Sequence, residues 1–188
     1  MSVARSEEEV RGFARSCVRA GLLSTEEMHA EVAEAIATDL PSRAAEADSL
    51  ATTWLAEAHD ELREEQNGWP DSTDYERLQS AFAEMELIDV SVLQGCEDHW
   101  AAKRLIEERD AAGAGVRGVA WFTPSDVWHA VDEGMLELNL WHGTTANVAP
   151  GDALLDDVLG ILEKHGLRGR FDEGRIEVDA HWQKRIAT

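Results

Sequence analysis

Cysteine is nearly absent: Cys17 and Cys96 are the only two in 188 residues. Two thiols cannot build a disulfide framework, and a chain of this length can bury roughly 70% of its unfolded surface without one. That usage fits a reducing compartment. Long apolar runs are missing too. Nothing approaches the roughly 20 residues of a membrane helix, and the opening stretch MSVARSEEEV has no apolar signal core. The expected location is the cytoplasm. Walker-type phosphate loops are absent, as are HExxH and GxSxG, so the P-loop and common hydrolase signatures are not present.

Positive charge is also scarce. Lysine and arginine total 17 against 38 acids, a net charge of −21, and only three of the basic residues are lysine. The acids do not form a tail. Residues 1–66 hold 15 acids and 6 bases, residues 67–115 hold 11 and 4, and residues 116–188 hold 12 and 7. A surface this anionic repels phosphate backbones and anionic membranes, which argues against nucleic acid or membrane partners. It steers a basic protein inward.

The first third of the chain reads as helix. Ser6 to Glu9 and Ser24 to Glu27 are capping boxes, in which a serine caps and the glutamate three residues on reaches back. Val10, Phe13, Ala14, Cys17 and Val18 then share one helical face, which makes Cys17 a core thiol. Met28, Val32, Ile36 and Leu40 form the next stripe, and Pro41 ends it. From Ser42 a longer helix is expected, with Leu50, Trp54, Ala58 and Leu62 inward and Glu57, Asp60, Glu61, Glu64 and Glu65 outward beside His59. Asn67 to Pro70 breaks the helical pattern.

Beyond that break the texture changes. A third capping box at Thr73 precedes a helix carrying Tyr75, Leu78, Phe82 and Met85. Residues 88–94, 116–122 and 135–142 alternate as strands, with Leu136, Leu138 and Leu140 on one side of the last. Helices are expected over 97–112, from Thr123, and over 152–165. Residues 168–179 read as a hairpin turning at Asp172 to Gly174. The expected fold is α+β: a helical N-terminal region over 1–66, then an α+β region over 67–188 with a small mixed or antiparallel sheet of about five strands and helices on one face.

Chemistry is sparsely marked. In the stretch LQGCEDHW, Cys96 and His99 have the spacing of one zinc ligand pair. A structural site needs four ligands, and His129 and His142 are the distant recruits. In the competing local account Gly95 ends a strand, Glu97 or Asp98 starts a helix, and Cys96 sits near its positive end, where a thiol pKa falls. Asp152, Asp156 and Asp157 open a helix and offer either a divalent-cation site or a simple dipole interaction. His142 falls on the leucine side of its strand, where a hydrogen-bonded core histidine is the usual occupant. Of seven tryptophans, Trp100 and Trp128 border polar helix faces and are the expected interface anchors, with Glu133 beside them.

Two blocks, GWPDSTDYERLQSAFAEME and GVAWFTPSDVWHAVDEGMLELNLWHG, resemble those of an uncharacterised bacterial domain family with a W…TDxxRLxxAFxxL signature; the likeness covers roughly residues 67–186. Members of that family often carry a CCxxC cluster after the first strand. Here Gly95 and Cys96 stand at its start, His99 takes the place of its last cysteine, and Thr123 stands where a histidine is common. The family has no assigned activity, so the resemblance bears on the fold.

Three functions compete on this reading. The first is a non-enzymatic immunity, inhibitor or interaction module that engages a basic protein and uses no cofactor. The second is a small zinc protein or enzyme built on Cys96 and His99. The third is a self-associating regulatory or scaffold domain.

Overall fold

The structure is a computed structural model of the chain that describes residues 5–187. It divides into two compact units: Asp71–Trp182, and the chain on either side of it, through Pro70 and again from Gln183.

The first unit is built from three α-helices, α1 (Glu7–Ala20), α2 (Thr25–Asp39) and α3 (Ala47–Glu65), each packed against the other two. The serine caps start the first two. The Ser6 and Ser24 hydroxyls accept from the backbone N–H of Glu9 and Glu27, and those glutamates accept from the cap N–H in return. Val10, Ala14, Cys17, Val32, Ile36, Trp54 and Leu62 form the core, so Cys17 is a packing residue. The expected continuous helix from Ser42 is interrupted. Proline 41 lacks the N–H an α-turn needs, and Pro41–Glu46 forms a 3₁₀ segment before α3 begins at Ala47. The returning C-terminal strand of chain is held here: Gln66 and Ile186 exchange side chain–backbone hydrogen bonds of 3.1 and 3.3 Å, and Lys184 Nζ donates to the carbonyl of the helix-capping Gly21 at 2.6 Å.

The second unit contains α4 (Asp74–Glu86), β1 (Val90–Leu93), α5 (His99–Ala111), β2 (Gly118–Trp121), α6 (Pro124–Asp132), β3 (Met135–His142), α7 (Ala153–Lys164), β4 (Arg168–Asp172) and β5 (Arg175–Asp179). The five strands form one mixed sheet in the order β1-β2-β3-β5-β4. β1 and β2 are parallel, joined through α5, and every other pair is antiparallel. The class is α+β. The β4–β5 hairpin turns on Glu173 and Gly174, both at positive φ (42° and 97°), the geometry of the two-residue turn that matches strand twist.

Strand alternation sorts the helices onto faces. Gly118, Ala120 and Phe122 point one way: Phe122 stacks on Phe82 of α4, and a Cβ on Gly118 would lie 2.8 Å from Leu154 of α7. That face, with Leu136, Leu138, Leu140 and Ile176 all fully buried, is the main core of the unit. Val119 and Trp121 point the other way, against Ala102 and Ile106 of α5. The sequence predicts helices on one face of the sheet; the structure has them on both, α4 and α7 on one and α5 on the other.

Candidate functional site

The most unusual surface of the second unit is where α5 begins. The chain leaves β1, turns through Gly95 at φ 64°, and presents Cys96, whose N–H donates to the Phe122 carbonyl at 3.0 Å. The Cys96 thiol lies 3.6 Å from two carbonyl oxygens, those of Asp98 and Phe122, and donates between them. Burial pushes its pKa up, and the negative charges of Asp98 and Asp126 push the same way, against the lowering effect of backbone hydrogen bonds. The lowered Cys96 pKa of the local account is therefore corrected: burial and the carboxylates outweigh the backbone hydrogen bonds. Cys96 is a protonated half-buried donor, not an activated thiolate.

Asp98 caps α5, its carboxylate accepting from the Trp100 N–H at 2.9 Å. The cap sets His99 and Trp100 on the first turn, outside the stripe of Ala102 and Ile106 that packs on the sheet. From there a chain of rings runs inward. Trp100 is 50% exposed, with its ring 4.7 Å from His99 between centroids. His99 lies 6.2 Å from half-buried Trp141 of β3, and Trp141 meets Trp121 of β2 edge-on at 5.5 Å. The inner end, Trp121, is only 8% exposed, and among the described residues its indole Nε1–H is a buried donor with no partner. At the outer end the Lys103 ammonium sits 5.1 Å from the Trp100 ring, with Glu107 3.6 Å from the same ammonium.

Geometrically this is an exposed aromatic corner at the head of α5. It combines a half-exposed aromatic ring, a tilted His99 ring against it, a lysine ammonium over its face, and acids around it. Trp128, 36% exposed, and exposed His129 stand on α6, and exposed Glu133 follows that helix, donating its N–H to the His129 carbonyl at 2.7 Å. These three belong to a different element from Trp100.

The four expected zinc ligands are differently engaged. Cys96 faces carbonyls, His99 packs between the rings of Trp100 and Trp141, His129 is exposed on α6, and His142 Nε2 lies 2.9 Å from Asp152 Oδ2. Among the described residues no group of three or more His, Cys, Asp or Glu side chains comes together as a metal-binding set. The acids at the head of α7 are similarly accounted for. Asp152 also accepts from the Ala149 N–H at 2.8 Å, and its pKa is held down by the His142 contact first and that N–H second. Asp157 pairs with Arg117 at 2.5 Å. Sequence reasoning missed Trp141 and the role of His99 as a stacked ring; the available signal was parity, since Trp141 falls on the strand face opposite Leu136, Leu138 and Leu140.

This arrangement defines an α+β protein whose second unit carries a half-exposed aromatic cluster at the head of α5. The chain belongs to the family described as Domain of unknown function (DUF6891), whose model matches residues 4–186 and so takes in the helical N-terminal unit as well. No curated protein and no solved structure matches it. Among the described residues no helix is long and apolar enough to cross a membrane.

Proposed function

We propose that the protein is a non-enzymatic interaction module, of the immunity or inhibitor kind, that captures a basic protein partner. The observation that carries this reading is Trp100: a large aromatic ring, half exposed, lying against His99, which in turn meets Trp141, on a chain with a net charge of −21. Long-range attraction brings a cationic partner in, and a rigid aromatic anchor supplies short-range affinity; the two jobs call for different residues. Trp128 and Glu133 on and after α6 are the second proposed contact element. The protonated state of Cys96 and its two carbonyl acceptors favour a structural role over nucleophilic chemistry.

The test uses a basic protein encoded beside this gene. Trp100→Ala should weaken its binding by roughly 2 kcal/mol or more, the size of an interface hot spot, while circular dichroism stays unchanged. Equal affinity of the two proteins for that partner removes the support for this face.

A further inference from the structure

We infer that the free edge of β4, together with the adjoining face of α7, is a docking groove for an extended basic peptide segment of another protein, which binds as an added strand. This surface is separate from the Trp100 face and does not depend on it.

The two edges of the sheet differ. At β1 the outward Val92 N–H is already occupied, donating to the Glu86 carboxylate at 2.8 Å, so that edge is blocked from within. β4 pairs only with β5. Its hairpin closes with Asp172 opposite Arg175 across a two-residue turn, which makes that pair hydrogen-bonded. By alternation Arg168 and Arg170 also bond inward, leaving the N–H and C=O groups of Gly169 and Phe171 directed to the open edge.

Beside this edge runs a groove of about 670 Å³, with Asp156, Leu159, Gly160 and Glu163 of α7 on one wall and residues 166–169 on the other. An adjacent hollow of about 370 Å³, toward α4, shares Asp156 and Gly160. Gly160 stands mid-helix, where glycine is disfavoured, and a Cβ there would meet nothing within 4 Å. The groove is thus wide at Gly160. A strand edge beside a helix groove is the geometry by which peptides are recognised through strand addition: the main chain pairs with the edge, and alternate side chains reach the helix.

Charge selects the occupant. Lys164 is occupied by Glu84, and Asp157 by Arg117. Asp156 and Glu163 have no ion-pair partner among the described residues, and they lie seven apart on the exposed side of α7, flanking Gly160. Arg168 lines the groove and Arg170 does not; both side chains start from the strand face opposite to Gly169, whose side packs on Leu159 and Leu162, and so lead away from α7. The side chains of a partner strand therefore meet two unneutralised carboxylates, which favours lysine and arginine.

A phage-displayed library of random linear peptides, selected on the full chain, is the probe. Expected are extended sequences with lysine or arginine at alternating positions. Amide shifts should concentrate at Gly169 and Phe171. Gly160→Leu, which fills the groove without loss of thermal stability, should weaken the selected peptide at least about tenfold, as should Asp156→Lys with Glu163→Lys. Four results overturn the proposal: no peptide above background; peptides whose binding Gly160→Leu leaves intact; an equal loss from reversing the exposed acids Glu108 and Asp110 of α5, on the other sheet face; or a concentration-dependent dimer abolished by Gly160→Leu, which would make a second copy the occupant.

Discussion

Glu84 of α4 and His165, just past the end of α7, are joined by a 2.9 Å contact between carboxylate and imidazole, and Lys164 Nζ reaches the same carboxylate at 2.7 and 2.8 Å. One acid thus clasps two helices that lie 80 residues apart in sequence. The Lys164 hydrogen bond, then that of His165, holds the Glu84 pKa below its ordinary value of 4.5. A depressed carboxylate stabilises the fold at pH above its unfolded value, and the benefit disappears as pH falls through the folded value. Glu84→Gln should therefore lower the melting temperature at neutral pH and flatten its fall below pH 4.5. Parallel curves for variant and wild type across that acid range would show that the clasp contributes nothing.

Both thiols should react slowly. Burial pushes Cys17 up to about 11, and Cys96 is raised for the same first reason. Since the thiolate is the reacting form, iodoacetamide at neutral pH should label native protein much more slowly than the unfolded chain. Labelling of Cys96 at the rate of a free thiol would mean that its carbonyl contacts open.

Removing the orphan indole should cost little. An unpartnered buried donor is unfavourable by about 1–3 kcal/mol, so Trp121→Phe gains that back while losing some packing, and the net change should lie within about 1 kcal/mol of zero. Trp54→Ala, in the core of the helical unit, should cost about 3–5 kcal/mol. Urea denaturation compares the two directly; similar losses would mean that Trp121 Nε1 has a partner after all.

Gly160→Ala should raise stability by about 0.5–1 kcal/mol, because alanine is the better helix former and its methyl meets open space. Thermal melts test this, and a decrease would indicate that the α7 backbone needs glycine.

Much of this fold was legible because its signals are local. Ser6 with Glu9, Thr73 with Glu76 and the Glu173–Gly174 turn each declare themselves within four residues, and the structure places caps and a hairpin there. The alternation of Leu136, Leu138 and Leu140 similarly marks a one-sided strand. What could not be read depends on register. Placing Trp141 opposite Val119 brings it to Trp121 and His99, and nothing within either strand specifies that pairing. The His142–Asp152 contact likewise needs the fold of the intervening loop. The start of α3 was missed because Pro41 was read only as a stop, whereas a proline also opens a 3₁₀ turn.

In the proposed capture of a basic partner, acidity and an aromatic anchor act together, and one titration separates them. Affinity for the neighbour-encoded basic protein would be measured at low and high salt for wild type and Trp100→Ala. Wild-type binding should weaken steeply as salt rises, and Trp100→Ala should be weaker at both concentrations with the same salt slope. Binding indifferent to salt, or a Trp100→Ala protein that binds as tightly as wild type, would contradict it.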